Sequence, residues 1–333
     1  MKKISKVLAA ILVCVMVAGS FAACAKKSDG NDSGKKTYKV GVIQYMSHAS
    51  LDNCYEGVEK ALKEAFGSDV KIERQIGSAS AAEADCDTYA KNFVANKYDM
   101  IVAIATTAAT IAYAATENTN IPVIFCAVSD PMAVELVDSL ETPGDICTGT
   151  SDKLNMAAQL DLIQSLQPDV KKIGVLYTTS EANSISQLAM LKEEAQKRGI
   201  EVIGSGIQSD ADIPAAATDL VKKVDCLNNF TDNNVVNNLS VVLEAANEAG
   251  IPVYGSEEEQ VKNGCLASVS IDYVALGKVT GQMAADVLKG ADASKMSVKT
   301  ISDATPIINK TVLDKLNIKL PDSYSEAETV VSK

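Results

Sequence analysis

From Lys39 onward the chain alternates short apolar runs with longer stretches in which apolar residues recur every third or fourth position. The short runs predict strands at 39–44, 70–75, 100–105 and 122–128. The amphipathic stretches between them predict helices at 51–66, 81–96 and 108–117. A second series follows, with strands at 172–176, 201–206, 224–228 and 252–254 and helices at 155–166, 184–198, 213–222 and 235–249. Strands regularly separated by helices are βαβ units, because a parallel partner strand is reached only through a crossover that packs on the sheet. Beyond these, 264–271 predicts another strand, 273–288 a strongly periodic helix and 298–308 a last extended stretch.

The two series keep nearly the same phase. Lys39-Val40-Gly41-Val42-Ile43 opens the first and Lys172-Ile173-Gly174-Val175-Leu176 the second, an offset of 133 residues. Ile121-Pro122-Val123 and Ile251-Pro252-Val253 close them at an offset of 130. The predicted fold class is therefore α/β, with two doubly wound parallel-sheet lobes. Three segments can link them, near 149–152, 270–272 and 303–306. Several crossings allow a hinge and forbid free tumbling of the lobes. The expected boundaries are 38–150 plus 271–304 for lobe 1, 151–270 plus 305–321 for lobe 2, and 322–333 as a tail.

The N-terminus departs from this pattern. Lys2, Lys3 and Lys6 precede an uncharged apolar run of 12 residues from Val7 to Ala18. That run is too short to span a bilayer and long enough for the core of a signal peptide. Phe21-Ala22-Ala23-Cys24 follows and resembles the lipobox of bacterial lipoproteins, with Phe21 in place of the usual Leu. The resemblance implies cleavage after residue 23 and lipidation of Cys24, including palmitate, with an ordinary secretory cleavage as the alternative. Residues 24–37 then read as the anchored cysteine and a polar tether. The implied location is the outer face of the cytoplasmic membrane.

Composition narrows the function. A length of 333 residues with 47% apolar and 22% charged residues belongs to a globular chain of about two domains. The net charge of −12, or −15 once the three lysines of residues 1–23 are removed, excludes a basic nucleic-acid binder. Six cysteines remain beyond Cys24, without a CxxC spacing, and are expected to be buried thiols. A single histidine, His48, disfavours His-based metal sites and catalytic triads. No G-x-G-x-x-G follows the first strand and no GxxxxGK[ST] occurs. No enzyme activity, catalytic residue, metal or cofactor is expected.

Five stretches carry a family resemblance: His48-Ala49-Ser50-Leu51-Asp52, Ala127-Val128-Ser129-Asp130-Pro131, Thr148-Gly149-Thr150-Ser151-Asp152, Ser180-Glu181-Ala182-Asn183-Ser184 and Ile271-Asp272-Tyr273. In this order they resemble the ABC-transporter substrate-binding lipoproteins of the tryptophan/tyrosine-uptake type. The resemblance spans about residues 38–321. It implies the type I periplasmic-binding-protein fold, two lobes with a three-segment hinge, and a small ligand between them. It also implies an ABC permease with its ATPase as partners and a monomeric binding protein. Ala49, where family members often carry Pro, and Cys126 and Cys147 depart from the pattern.

In parallel sheets ligands bind beyond the carboxyl ends of the strands, beside helix N-termini whose free N–H groups favour an anion. In the first lobe those ends carry Gln44, Tyr45, Ser47 and His48, then Thr106 and Thr107, then Ser129 and Asp130. In the second they carry Tyr177, Thr179 to Asn183 with Ser180 and Glu181, then Thr231 and Asp232, then Ser256 and Glu257. Asp272 lies at a crossover and is expected to face the cleft, with capping of the following helix as its other role. Thr106, Thr107 and Ser129 are candidates for a ligand carboxylate; Asp272, Asp232 or Glu257 for an ammonium; Tyr45 or Tyr177 for stacking on a side chain. Asp130-Pro131 equally fits a helix cap, and Ser184 with Gln187 a capping box. The expected ligand is a zwitterionic amino acid, with an aromatic one among the candidates. A sugar or nucleoside, or a sensor acting on a receptor, are the alternatives.

Overall fold

Six parallel strands build the sheet of the first lobe in the computed structural model, which describes residues 36–301 and 305–332. They are β1 (Tyr38–Gln44), β2 (Val70–Ile76), β3 (Met100–Ile104), β4 (Val123–Cys126), β5 (Cys147–Ser151) and β11 (Lys299–Thr300), in the order β11-β5-β4-β3-β1-β2. Helices α1 (Ala49–Phe66), α2 (Ala82–Ala95) and α3 (Thr106–Thr116) connect the first four strands, and α10 (Tyr273–Leu288) returns from the second lobe to pack on α1. β1 and β3 are buried along nearly their whole length, as strands covered on both faces must be. The α1–α10 packing is backbone-close. A side chain at Gly57 would collide with the Val274 carbonyl, and one at Gly277 with the Cys54 carbonyl.

The second lobe has a parallel sheet in the order β7-β6-β8-β9, made of β6 (Lys172–Thr178), β7 (Glu201–Ile207), β8 (Cys226–Asn228) and β9 (Val253–Tyr254). Ile173 and Val175 of β6 enter one apolar cluster and Leu176 another, so alternate residues serve cores on opposite faces. Its helices are α4 (Met156–Leu166), α5 (Ala182–Lys197), α6 (Ile213–Leu220), α7 (Asn233–Asn237), α8 (Leu239–Ala249) and α9 (Glu258–Lys262). A three-stranded sheet of β10 (Ala267–Ser270), β12 (Thr305–Asn309) and β13 (Glu328–Val330) adjoins it. Both parallel sheets reverse their strand order once, between β1 and β3 and between β6 and β8. These are the places where such sheets open a crevice.

Several elements differ from the expectation. The stretch 298–308 is two strands, β11 in the first lobe's sheet and β12 in the three-stranded sheet. The expected crossover at 303–306 falls partly on residues outside the description, as do the signal peptide, Cys24 and nearly all of the tether. Residues 322–333 are not merely a tail, since β13 pairs with β12. The helix at 235–249 is two helices meeting at Asn238. β5 carries no apolar signal in its Cys-Thr-Gly-Thr-Ser sequence, yet it is wholly buried. Its hydroxyls are satisfied locally: Thr148 donates to the Met296 carbonyl at 2.6 Å, and the Thr150 and Thr280 hydroxyls lie 2.7 Å apart. Cys54, Cys86, Cys126, Cys147, Cys226 and Cys265 are buried free thiols.

Candidate functional site

A nearly shut cavity of about 20 Å³ lies where the two crevices face each other. The first lobe supplies His48, Ser50 and Leu51 from the β1–α1 junction, Ala105 and Thr106 from β3–α3, and Ala127 and Ser129 from beyond β4. The second supplies Asn183 after β6, Thr231 and Asn233 after β8 and Glu257 after β9. Asp152 and Tyr273 enter from two of the crossing segments. That space holds about one water, so the walls must draw apart to admit a small molecule.

Five polar atoms of the wall lack partners. His48 Nδ1, Ser50 Oγ, Thr106 Oγ1, Asn183 Oδ1 and Glu257 Oε1 are buried without a hydrogen bond, and all five residues line this cavity. Buried polar groups are nearly always paired, so five unpaired ones converging on one space mark a binding site. The first lobe also brings two helix N-termini. Neither α1 nor α3 has a side-chain cap, and Ala105 holds a left-handed φ of 82° that turns β3 sharply into α3. Their first N–H groups favour an anion.

Acids dominate the opposite chemistry. Asp152 is fully enclosed and accepts from Ser129 Oγ at 2.9 Å and Tyr273 Oη at 3.0 Å. Burial raises its pKa, against the pull of those two donors. Burial likewise raises that of Glu257, opposed by the charge of His48. No Lys or Arg lines the cavity. Buried carboxylates without a cation are costly, so the site calls for a positive group on its ligand. Among the described residues no cluster of His, Cys, Asp and Glu is arranged to hold a metal ion.

Of the expected strand-end residues, the structure brings His48, Thr106, Ser129, Asn183, Thr231 and Glu257 to the cavity. Glu181 lies directly behind its wall, its pKa pushed up to about 8 by burial and by Asp232, against donors from Asn233 and Asn183. Asp232 is buried but spends its carboxylate on Thr178, Ser184 and the Val235 N–H, capping α7.

Other expected residues point elsewhere. Gln44 is tied to Arg74, Asp52 and the Met46 carbonyl. Ser47 is exposed at a long 3.5 Å from Asp52. Thr107 is half-buried outside the cavity wall. Tyr45 and Ser180 border a separate cleft, and Tyr177 lies over Gly204 and Gly206 of β7. Asp130 accepts from the Ala133 N–H at 3.1 Å and from Ser186 Oγ of the other lobe at 3.1 Å.

Asp272 takes the second of its two expected roles and not the cleft-facing one. It is exposed and caps α10, accepting from the Val274 and Ala275 N–H groups at 2.8 and 3.0 Å. Its helical neighbour Tyr273 enters the cavity instead, and the acid at the hinge is Asp152 of another crossing segment. The Ser184–Gln187 capping box is also absent: Ser184 donates to Asp232, and Gln187 donates to Ser129 and Thr231. Sequence reasoning missed Ser50, Leu51, Ala105, Ala127, Asp152, Asn233 and Tyr273. Asp152 had a visible signal, an acid ending a predicted crossing segment.

The fold has counterparts among known proteins. A family model described as ABC transporter substrate binding protein matches residues 39–331. The chain is similar to the tyrosine-binding protein of Clostridioides difficile (strain R20291), at 37% identity over 96% of this chain and 94% of that one. It is also similar to the structure of an ABC domain in complex with L-Trp from Streptococcus pneumonia, at 36% identity and a TM-score of 0.84, covering 89% of this chain and 100% of that one. A ligand-free, open substrate-binding protein with adhesive properties from Clostridium difficile has the same 36% identity and the same coverage, 89% of this chain and 100% of that one, but a TM-score of 0.68.

Proposed function

The chain belongs to the ABC transporter substrate-binding protein family, and on that premise we propose that it captures a zwitterionic amino acid, with aromatic ones favoured, by closing its lobes. The observation that carries this reading is the convergence of five unpaired polar atoms, one of them an oxygen of Glu257, and the enclosed Asp152 on one cavity. The uncapped ends of α1 and α3, with Thr106 Oγ1, suit the carboxylate. Asp152, Glu257 and Asn183 Oδ1 suit the ammonium, each charge-assisted bond contributing roughly 1.5–3 kcal/mol. A neutral sugar or nucleoside would leave Asp152 and Glu257 without a counter-charge. Relatives named for tyrosine and L-Trp support the aromatic preference.

Capture works by population shift. A ligand touching both lobes stabilises only the closed form, so it moves the equilibrium by its differential affinity. The better match to the L-Trp complex than to the open, ligand-free relative, at equal identity, supports a closed arrangement here. The lobes meet through His48 and Asn233, Ser129 and Gln187, and Asp130 and Ser186. The closed monomer, lipid-anchored at Cys24 outside the cytoplasmic membrane, delivers its ligand to an ABC permease driven by its ATPase.

The test is a thermal-shift screen of the chain from Cys24 against the twenty amino acids, common sugars and nucleosides. An amino acid in excess should raise the melting temperature most. A rise with sugars or nucleosides alone would overturn the assignment.

A further inference from the structure

Glu181 is fully buried behind the second lobe's wall, and every hydrogen bond it makes is with a donor. Its carboxylate accepts from the backbone N–H of Asn233, 3.1 Å from each oxygen, and from that of Asn234 at 3.3 Å. Oε2 also accepts from Nδ2 of Asn183 at 3.1 Å and from Nδ2 of Asn233 at 2.7 Å. Ionised, the carboxylate only accepts, so each amide turns its NH₂ toward Glu181 and its oxygen away; with the pKa raised to about 8, this orientation is enforced most fully above that pH. Asn183 Nδ2 is held further by the Thr231 carbonyl at 3.1 Å.

The oxygens then face the site. Asn183 Oδ1 is buried and unpartnered in the cavity wall, and Asn233 Oδ1 meets His48 Nε2 of the other lobe at 3.1 Å. The N–H groups of Asn233 and Asn234 are already engaged, so they offer nothing to a ligand carboxylate. We infer that Glu181 is a positioning residue that sets the polarity of the bound ligand, by making the second lobe's Asn183–Asn233 wall accept hydrogen bonds and donate none. The ammonium is thereby directed to the second lobe and the carboxylate to the open helix ends of the first. This inference rests on the amino-acid reading of the site.

The experiment compares an amino acid with the same molecule lacking its ammonium, using L-tyrosine against 3-(4-hydroxyphenyl)propionate and L-tryptophan against indole-3-propionate. Calorimetric affinities are measured for the wild type and for Glu181→Gln, which keeps the volume and removes the all-acceptor character. The wild type should prefer the ammonium-bearing partner, and Glu181→Gln should reduce that preference by about tenfold or more. An equal loss of affinity for both partners indicates a merely structural role and overturns the inference, as does an unchanged preference. A wild type without the preference overturns the amino-acid reading itself and the inference with it. Asn183→Ala, which deletes one of the oriented oxygens, should show the same reduced preference even if Glu181→Gln does not fold. Undiminished preference in Asn183→Ala also overturns the inference.

Discussion

His48 Nε2 lies 3.1 Å from Asn233 Oδ1, joining the start of α1 in one lobe to the start of α7 in the other. The contact bridges the two lobes, and under the proposed closing motion it would form only in the closed state. One bond of this kind contributes about 0.5–1.5 kcal/mol. His48→Ala should therefore weaken ligand affinity by roughly 2- to 12-fold while leaving the fold intact. Small-angle scattering of the ligand-free variant should show a more open particle than the wild type.

Asp152 tests the ammonium site. Asp152→Asn keeps the shape and the contacts to Ser129 and Tyr273 within reach but removes the charge. Amino-acid affinity should fall by about tenfold or more, measured by calorimetry. Because the enclosed carboxylate is costly without a ligand, the melting temperature of the ligand-free variant should not drop. A variant binding as tightly as the wild type would exclude Asp152 from the site.

The three raised acids, Asp152, Glu257 and Glu181, predict an unusual pH profile. An acid that is harder to ionise in the folded state than in the unfolded one holds its proton longer when native. Stability is then greatest below the unfolded value and declines as pH rises toward the folded one. For Glu181 that interval runs from 4.5 to about 8. The ligand-free protein should melt at progressively lower temperature from about pH 5 to about pH 8. Glu181→Gln should flatten the decline, and a bound amino acid, whose ammonium compensates the acids, should reduce it. A melting temperature that climbs across this interval would contradict the burial of uncompensated acids.

Helix α10 reaches back to the first lobe through a contact that tolerates no side chain. At Gly277 an added methyl group would meet the Cys54 carbonyl, which is backbone and cannot swing aside. Gly277→Ala should destabilise the protein by about 1–3 kcal/mol, read as a lowered denaturation midpoint. An unchanged midpoint would show that α1 and α10 are free to separate.

Anchoring is tested in cells. Cys24→Ser should release the protein from the membrane fraction and abolish incorporation of labelled palmitate, while ligand binding by the purified protein persists. Retention at the membrane would assign the attachment to something other than Cys24.

The alternation of apolar runs and amphipathic stretches, which is a local property, was enough to indicate the βαβ repeats and parallel-sheet lobes, and it pointed to the strand ends as the candidate site. His48, Thr106, Ser129, Asn183 and Glu257 were legible for that reason: each follows the carboxyl end of a strand. Sequence position alone could not decide which way a side chain turns or what competes for it. Asp272 and Asp232 are spent on helix N-termini, and Gln44 on Arg74, because nearby donors claimed them first. Asp152 and Asn233 became site residues only when the crossing segments and the second lobe folded over the first. β5 escaped notice since its polar residues are buried by partners distant in sequence, Met296 and Thr280. Local periodicity determines the elements; the packing of remote elements determines which buried polar atoms are left unpaired, and those atoms make up the candidate site.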